Sequence, residues 1–269
     1  MDSGGQLAFL APVEAEPAIG FAGQYQGQHS PRYQHQQWEA RRRILRWLIR
    51  NIGFTLLAKL DRVEGLENVP TTGPAIVMIN HIAFIDSLVT LHVLPRNVVP
   101  MAKIEVYNYP VIGIFPRLWG VIPVRREEVD RRAIQGALDV LHAGEMILLA
   151  PEATRHATLQ QGKVGVAYLA ARTGAPILPV AVQNSPGFPA FRLSKRWRGP
   201  GVVVKIGRPF RYRPELKRPA QDQLRLMTDE AMYVLASLLP ESLRGVYADL
   251  SKATHSTIEN EDSGGCSGM

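Results

Sequence analysis

A succession of short apolar runs, each bounded by turn residues and separated by stretches with helical spacing, limits this chain more than any other feature. The runs are Ala75–Ile79, Val98–Ala102, Gly120–Val124, Met146–Ala150, Ile177–Val182 and Val202–Ile206, with a shorter strand and turn over Val63–Pro70. Apolar runs of this length read as buried strands. Helical patterns fill the intervals at Ser87–Leu94, Glu127–His142, Gly162–Arg172 and Gln221–Leu239. Gly144 and Gly174 stand where two of those helices should stop. Strands alternating with helices predict an α/β fold: a layered domain with a largely parallel or mixed central sheet flanked by helices. In such a domain, chemistry gathers where strands end and loops begin.

Polar residues with chemical potential do sit at those places. Ala75–Ile79 runs into Asn80-His81, and Asp86 follows after four intervening residues. On a regular helix, residues five apart point about 140° apart. The two side chains therefore meet only if His81 lies in a strand-to-helix turn and Asp86 opens the helix behind it. A carboxylate on one ring nitrogen would suit the other nitrogen for taking a proton near neutral pH. The plainer alternative is a capping asparagine with two scattered polar residues on a surface helix. Arg125-Arg126 ends the run beginning at Gly120, and Pro151-Glu152-Ala153-Thr154-Arg155 follows Met146–Ala150.

Four blocks in fixed order resemble one family. Asn80–Asp86, NHIAFID, resembles the NH-x4-D signature of the PlsC-like glycerolipid acyltransferases, which include the 1-acylglycerol-3-phosphate and glycerol-3-phosphate acyltransferases. Gly120–Arg126 is similar to the second block of that superfamily, and Pro151–Arg155 to the third, usually PEGTR. Ile177–Val182, a proline inside an apolar strand, is similar to the fourth, so the resemblance covers roughly 63–210.

The resemblance implies transfer of a fatty acyl group from a thioester to the hydroxyl of a lysophosphatidate-like acceptor. His81 would be the general base and Asp86 would hold its tautomer. No serine nucleophile is needed, because the lipid hydroxyl attacks. Arg126 and Arg155 would grip the acceptor phosphate, a task suited to the guanidinium fork. Arg125 ranks below Arg126, since it should point to the other face if the strand continues. Glu152 either binds acceptor hydroxyls or holds the turn by pairing with an arginine. Thr154 donates to substrate or to its own turn, and Asn80 contacts substrate or orients the turn. Lys103 and Lys163 stand where relatives often place lysine near phosphate. Two positions depart from the pattern: Ala153 replaces the motif glycine, and His156 stands where a small hydroxyl residue is common. Either the turn avoids a positive φ, or the site is reshaped. Acyl-CoA or acyl carrier protein would be the donor substrate, with neither a separate cofactor nor a metal. Glycerol 3-phosphate or another lysolipid is the alternative acceptor, and a catalytically silent lipid-binding protein the alternative function.

Composition bears on partners. A formal charge of +7 implies an acidic partner. The arginines cluster on one amphipathic stretch rather than in a nucleic-acid module, so an anionic membrane surface is expected and nucleic acid is not. The single cysteine, Cys266, excludes a disulfide framework and a cysteine metal site. Residues 1–36 and 254–269 read as disordered, 37–61 as an amphipathic membrane-surface helix or helix pair, and 62–253 as the acyltransferase domain. Within Trp38–Leu60, apolar Ile44, Leu45, Leu48, Ile49, Ile52 and Leu56 recur at helical spacing while Arg42, Arg43, Arg46 and Arg50 take other faces, and Gly53 is a candidate break. With no secretory signal and no spanning run, the expectation is a peripheral membrane protein on the cytoplasmic face.

Overall fold

A computed structural model describes residues 33–110, 113–125 and 129–259. Its centre is β2 (Ala75–Ile79), buried at every residue. Alternate side chains of a strand point to opposite faces. Ile76 and Met78 join one apolar cluster and Ala75, Val77 and Ile79 another. An unbroken apolar run is what a strand covered by helices on both faces requires.

Around β2 lie β1 (Leu60–Glu64), β3 (Val98–Lys103), β4 (Ile122–Val124), β5 (Met146–Leu149), β6 (Ile177–Gln183) and β7 (Val202–Ile206), in the spatial order β1-β7-β6-β2-β5-β3-β4. Every pairing is parallel except β6 with β7, so the sheet is mixed. On one face pack α5 (Arg131–His142), α6 (Gly165–Thr173) and α7 (Gln221–Ser237). The other face is covered by α3 (Asp86–Val93), α4 (Ile114–Trp119) and the end of an N-terminal helical arm.

That arm comprises α1 (His35–Leu48), a π-helical turn at Ile49–Gly53 and α2 (Phe54–Leu57). Gly53 is therefore not a break; the backbone stays helical through it. The arm turns guanidinium groups as well as apolar side chains toward the domain. Arg42 is fully buried, its Nε donating to Trp119 O at 2.8 Å and its Nη1 to the Tyr33 hydroxyl. Arg46 donates to Asn97 Oδ1 and Leu94 O, and Arg50 to His92 O and Leu94 O. Those carbonyls terminate α3, the negative end of its dipole, which accounts for the inward-facing guanidinium groups. Leu45 and Ile49 pack on the core, while Ile44, Trp47, Leu48, Ile52 and Leu56 are exposed.

Three other expectations are corrected. No helical pattern marks the interval between Val98–Ala102 and Gly120–Val124, yet it contains α4, whose Trp119 is fully buried with its indole N–H donating to Val98 O at 2.8 Å. Gly120, at φ 73°, ends that helix, so β4 starts only at Ile122. The helix expected from Glu127 begins at Arg131, with Asp130 accepting the Ala133 N–H; Glu127 and Glu128 lie outside the described residues.

The tail expected to be disordered from Thr254 is held as far as Glu259. Glu230 of α7, buried, accepts from Thr254 Oγ1, from Ser256 N and Oγ, and from Thr257 N and Oγ1. Residues 1–32 and 260–269, also read as disordered, lie outside the described residues. Burial pushes the Glu230 carboxyl up, but the hydrogen bonds from Thr254, Thr257 and Ser256 outweigh it and hold the pKa below the usual value. A depressed folded-state pKa contributes stability above the unfolded carboxylate pKa, and that contribution is lost as pH falls through the folded value. Thermal unfolding followed between neutral and acid pH is therefore expected to show a steeper acid loss for wild type than for Glu230→Gln.

Candidate active site

Parallel pairing brings strand ends to a common edge, and the register says which residues share it. Met78 pairs with Leu149. His81 and Glu152, each three residues farther on, therefore lie level where β2 and β5 stop. Lys103 closes β3 opposite Val124 of β4 at the same edge. At about 5 Å per strand, β4 ends roughly 15 Å from β2. Arg126 lies outside the described residues.

His81 occupies the turn between β2 and α3, and Asp86 is the first residue of α3. The Asp86 carboxylate is fully buried, and its Oδ2 accepts the backbone N–H groups of Ile82 and Ala83, both at 2.7 Å. Two such donors at a helix N-terminus offset the desolvation of a buried charge. The same Oδ2 stands 3.4 Å from Nδ1 of His81, whose side chain is 18% exposed. This is close approach without a made hydrogen bond. Among the described residues neither His81 Nδ1 nor Asp86 Oδ1 has a hydrogen-bond partner. Acid–base pairs in enzymes often tighten to hydrogen-bond distance only around substrate.

Glu152 fixes the geometry from the neighbouring strand. It is 6% exposed, its Oε2 accepts the His81 N–H at 3.2 Å, and its Oε1 accepts the Gln160 N–H at 2.8 Å. The His156 N–H donates back to His81 O at 3.0 Å. Block one and block three are thus laced through backbone groups, and Glu152 holds the turn by accepting them. Burial raises the Glu152 carboxyl above its usual range, with the Gln160 and His81 N–H groups opposing part of that shift.

Asn80, a candidate for substrate contact, is committed elsewhere. It is buried, donates from Nδ2 to Val182 O at 2.9 Å and accepts from Val182 N at 2.7 Å through Oδ1. Its amide extends the β2–β6 pairing by one side chain, a role that neither capping nor substrate contact describes. Thr154 and Arg155 are exposed at the rim, and Thr154 Oγ1 lies 2.7 Å from His156 Nε2. Nothing in the residue pattern foretold that pair beyond the presence of His156 where the motif has a small residue. Lys103 is half-buried and Lys163 exposed.

Ala153 has φ 59°, so the turn keeps the left-handed backbone that glycine favours. The alternative of a turn that avoids a positive φ is therefore not the one adopted. Alanine carries a strain there of roughly 1 kcal/mol. Ala153→Gly is expected to raise stability by about that amount, less the greater entropy of unfolded glycine, with kcat unaltered. Denaturant unfolding alongside initial rates checks both.

A family model described as Acyltransferase matches residues 61–183. The crystal structure of the 1-acyl-sn-glycerophosphate (LPA) acyltransferase PlsC from Thermotoga maritima superposes with a TM-score of 0.56 at 26% identity, covering 74% of this chain and 80% of that one. The chain is thus similar to PlsC-like acyltransferases in both sequence and fold. Among PlsC-like relatives, the 1-acyl-sn-glycerol-3-phosphate acyltransferase of Borreliella burgdorferi is 33% identical over 130 residues, 47% of this chain and 52% of that protein. Its namesake in Bacillus subtilis is 28% identical over 171 residues, 62% of this chain and 82% of that protein. The chloroplastic LPAT1 of Arabidopsis thaliana, also named as a 1-acyl-sn-glycerol-3-phosphate acyltransferase, matches at 30% over 46% of this chain and 36% of its own length. The chain thus spans about half or less of the length of the Borreliella and Arabidopsis relatives.

Proposed function

We propose that this protein is an O-acyltransferase that moves a fatty acyl group from the thioester of acyl-CoA or acyl carrier protein to the free hydroxyl of a lysophosphatidate. The carrying observation is the His81–Asp86 pair in the turn after β2, laced to the loop after β5 by Glu152. In this reading Asp86 holds the proton on His81 Nδ1, and Nε2 takes the hydroxyl proton as the oxygen attacks the thioester carbonyl. Collapse of the tetrahedral intermediate expels the thiolate, which recovers that proton from the imidazolium. Arg155 and Lys103, at the rim of the same sheet edge, and Arg126 from the end of β4, would bind the acceptor phosphate. The names of the Borreliella and Bacillus relatives favour lysophosphatidate over other acceptors.

The acceptor is amphiphilic, and the arm supplies the matching surface. Trp47, Leu48, Ile52 and Leu56 face outward, and Ile114 and Leu118 of α4, which packs on α1, are exposed as well. No helix among the described residues is long and apolar enough to cross a membrane. The reading is therefore a protein lying on the bilayer with this apolar surface immersed. The functional proposal is tested with purified protein, acyl-CoA and a panel of lysophosphatidate, other lysophospholipids and glycerol 3-phosphate, following release of the CoA thiol. Acceptor-dependent release with lysophosphatidate preferred is expected. Preference for another acceptor would overturn the substrate, and no release with any acceptor would favour a silent lipid-binding protein.

A further inference from the structure

The arm poses an electrostatic question. Three arginines that would suit anionic headgroups, Arg42, Arg46 and Arg50, spend their guanidinium groups on the protein's own carbonyls. Arg41 and Arg43 of α1 remain exposed alongside the apolar Ile44, Trp47, Leu48, Ile52 and Leu56.

An adjoining surface holds further cations. The connection from β6 to β7 is tied down at its base. Arg196 donates from Nε to Pro186 O at 2.8 Å, from Nη1 to Pro200 O at 2.6 Å and from Nη2 to Asn184 O, with its guanidinium 4.0 Å from the centroid of the Phe188 ring. The Trp197 indole donates to Ala190 O at 2.6 Å, and Lys59 Nζ to Gly199 O at 3.2 Å. From this base projects a turn closed by Ser194 N donating to Phe191 O at 2.8 Å. Phe191 at its shoulder is 76% exposed, and Leu193 at its tip 96%. Arg192, Lys195 and Arg198 beside them are exposed. The turn also begins on the arm: Ala190 N donates to Leu57 O, the last residue of α2, at 2.8 Å.

We propose that the 191–198 turn is a second membrane anchor, continuous with the outward face of α1 and α2, in which Phe191 and Leu193 insert below the headgroups of an anionic bilayer while Arg192, Lys195 and Arg198 bind its phosphates. The proposal rests on the membrane-surface reading of the arm. A tip of two large apolar side chains on a stiffened base gains by burial in hydrocarbon, and flanking cations add attraction to an anionic surface. The turn adds both apolar tip residues and cations to those the arm already exposes.

The test compares three variants by sedimentation with phosphatidylcholine vesicles, with and without phosphatidylglycerol: Phe191→Ser/Leu193→Ser in the turn, Arg192→Gln/Lys195→Gln/Arg198→Gln in the turn, and Trp47→Ser/Ile52→Ser in the arm. Thermal unfolding verifies that each is folded. The apolar turn variant is expected to weaken binding about tenfold or more, and the charge variant to abolish most of the preference for phosphatidylglycerol. In a Cys266→Ser background, a fluorophore on Leu193→Cys should be quenched by brominated acyl chains. Loss of binding with the arm variant, but wild-type binding by both turn variants and an unquenched label, would overturn the second anchor and leave the arm reading standing. Wild-type binding by all three variants would overturn both.

Discussion

Replacing His81 with alanine is expected to lower acyl transfer by about 10²–10⁴-fold, the usual worth of a positioned general base, while the unfolding midpoint barely moves. The contacts that shape its turn explain the separation. Glu152 and His156 hold His81 through its backbone N–H and carbonyl, neither of which the substitution removes. The imidazole itself is partly exposed and has no hydrogen-bond partner at Nδ1 among the described residues. Its loss should leave the acceptor's KM nearly unchanged, because the cations at the rim are untouched. Initial rates of thiol release, with thermal unfolding in parallel, check the two halves of the prediction. Turnover within a few-fold of wild type would remove the base.

Asp86→Asn is expected to cost about 10²-fold or more in kcat with little loss of fold. The amide oxygen can still accept the Ile82 and Ala83 N–H groups, so the turn persists. That oxygen takes the place of Oδ2 and so still faces His81 Nδ1, while the amide NH2 takes the place of Oδ1, which has no hydrogen-bond partner among the described residues. What is lost is the negative charge that holds the proton on Nδ1 and stabilises the imidazolium. Asp86→Ala should do the same catalytic harm and in addition destabilise the protein by about 1–3 kcal/mol, since two N–H groups lose their acceptor. The contrast between the two variants, read as kcat against unfolding free energy, separates orientation from structure.

The parts of this molecule that declared themselves in sequence are those decided by local pattern. Ala75–Ile79 is apolar on both faces, so it had to be a covered strand, and the spacing of His81 and Asp86 admitted only one arrangement in which they meet. What stayed hidden depends on elements distant in the chain. Glu152 reaches His81 N only because β5 lies beside β2, and strand order cannot be deduced from a list of strands. Asn80 pairs with Val182, 102 residues away, for the same reason. The arm's periodicity showed two faces but not which one turned inward; the α3 carbonyls that draw in Arg46 and Arg50 decide that. Helix α4 escaped notice because Pro116 and Trp119 are buried and Ile114 and Leu118 are exposed yet apolar, which erases any contrast between sides. The order in 254–259 comes from Glu230, whose partners no local signal marks.

A double-mutant cycle on His81 and Asp86 tests the central claim most directly, with kcat measured for wild type, His81→Ala, Asp86→Asn and the combination. If the carboxylate acts only by steering that imidazole, the double variant should turn over no more slowly than His81→Ala alone, since removing the ring leaves nothing to steer. Multiplying losses, with the double variant slower than His81→Ala by the full factor seen for Asp86→Asn, would contradict the account.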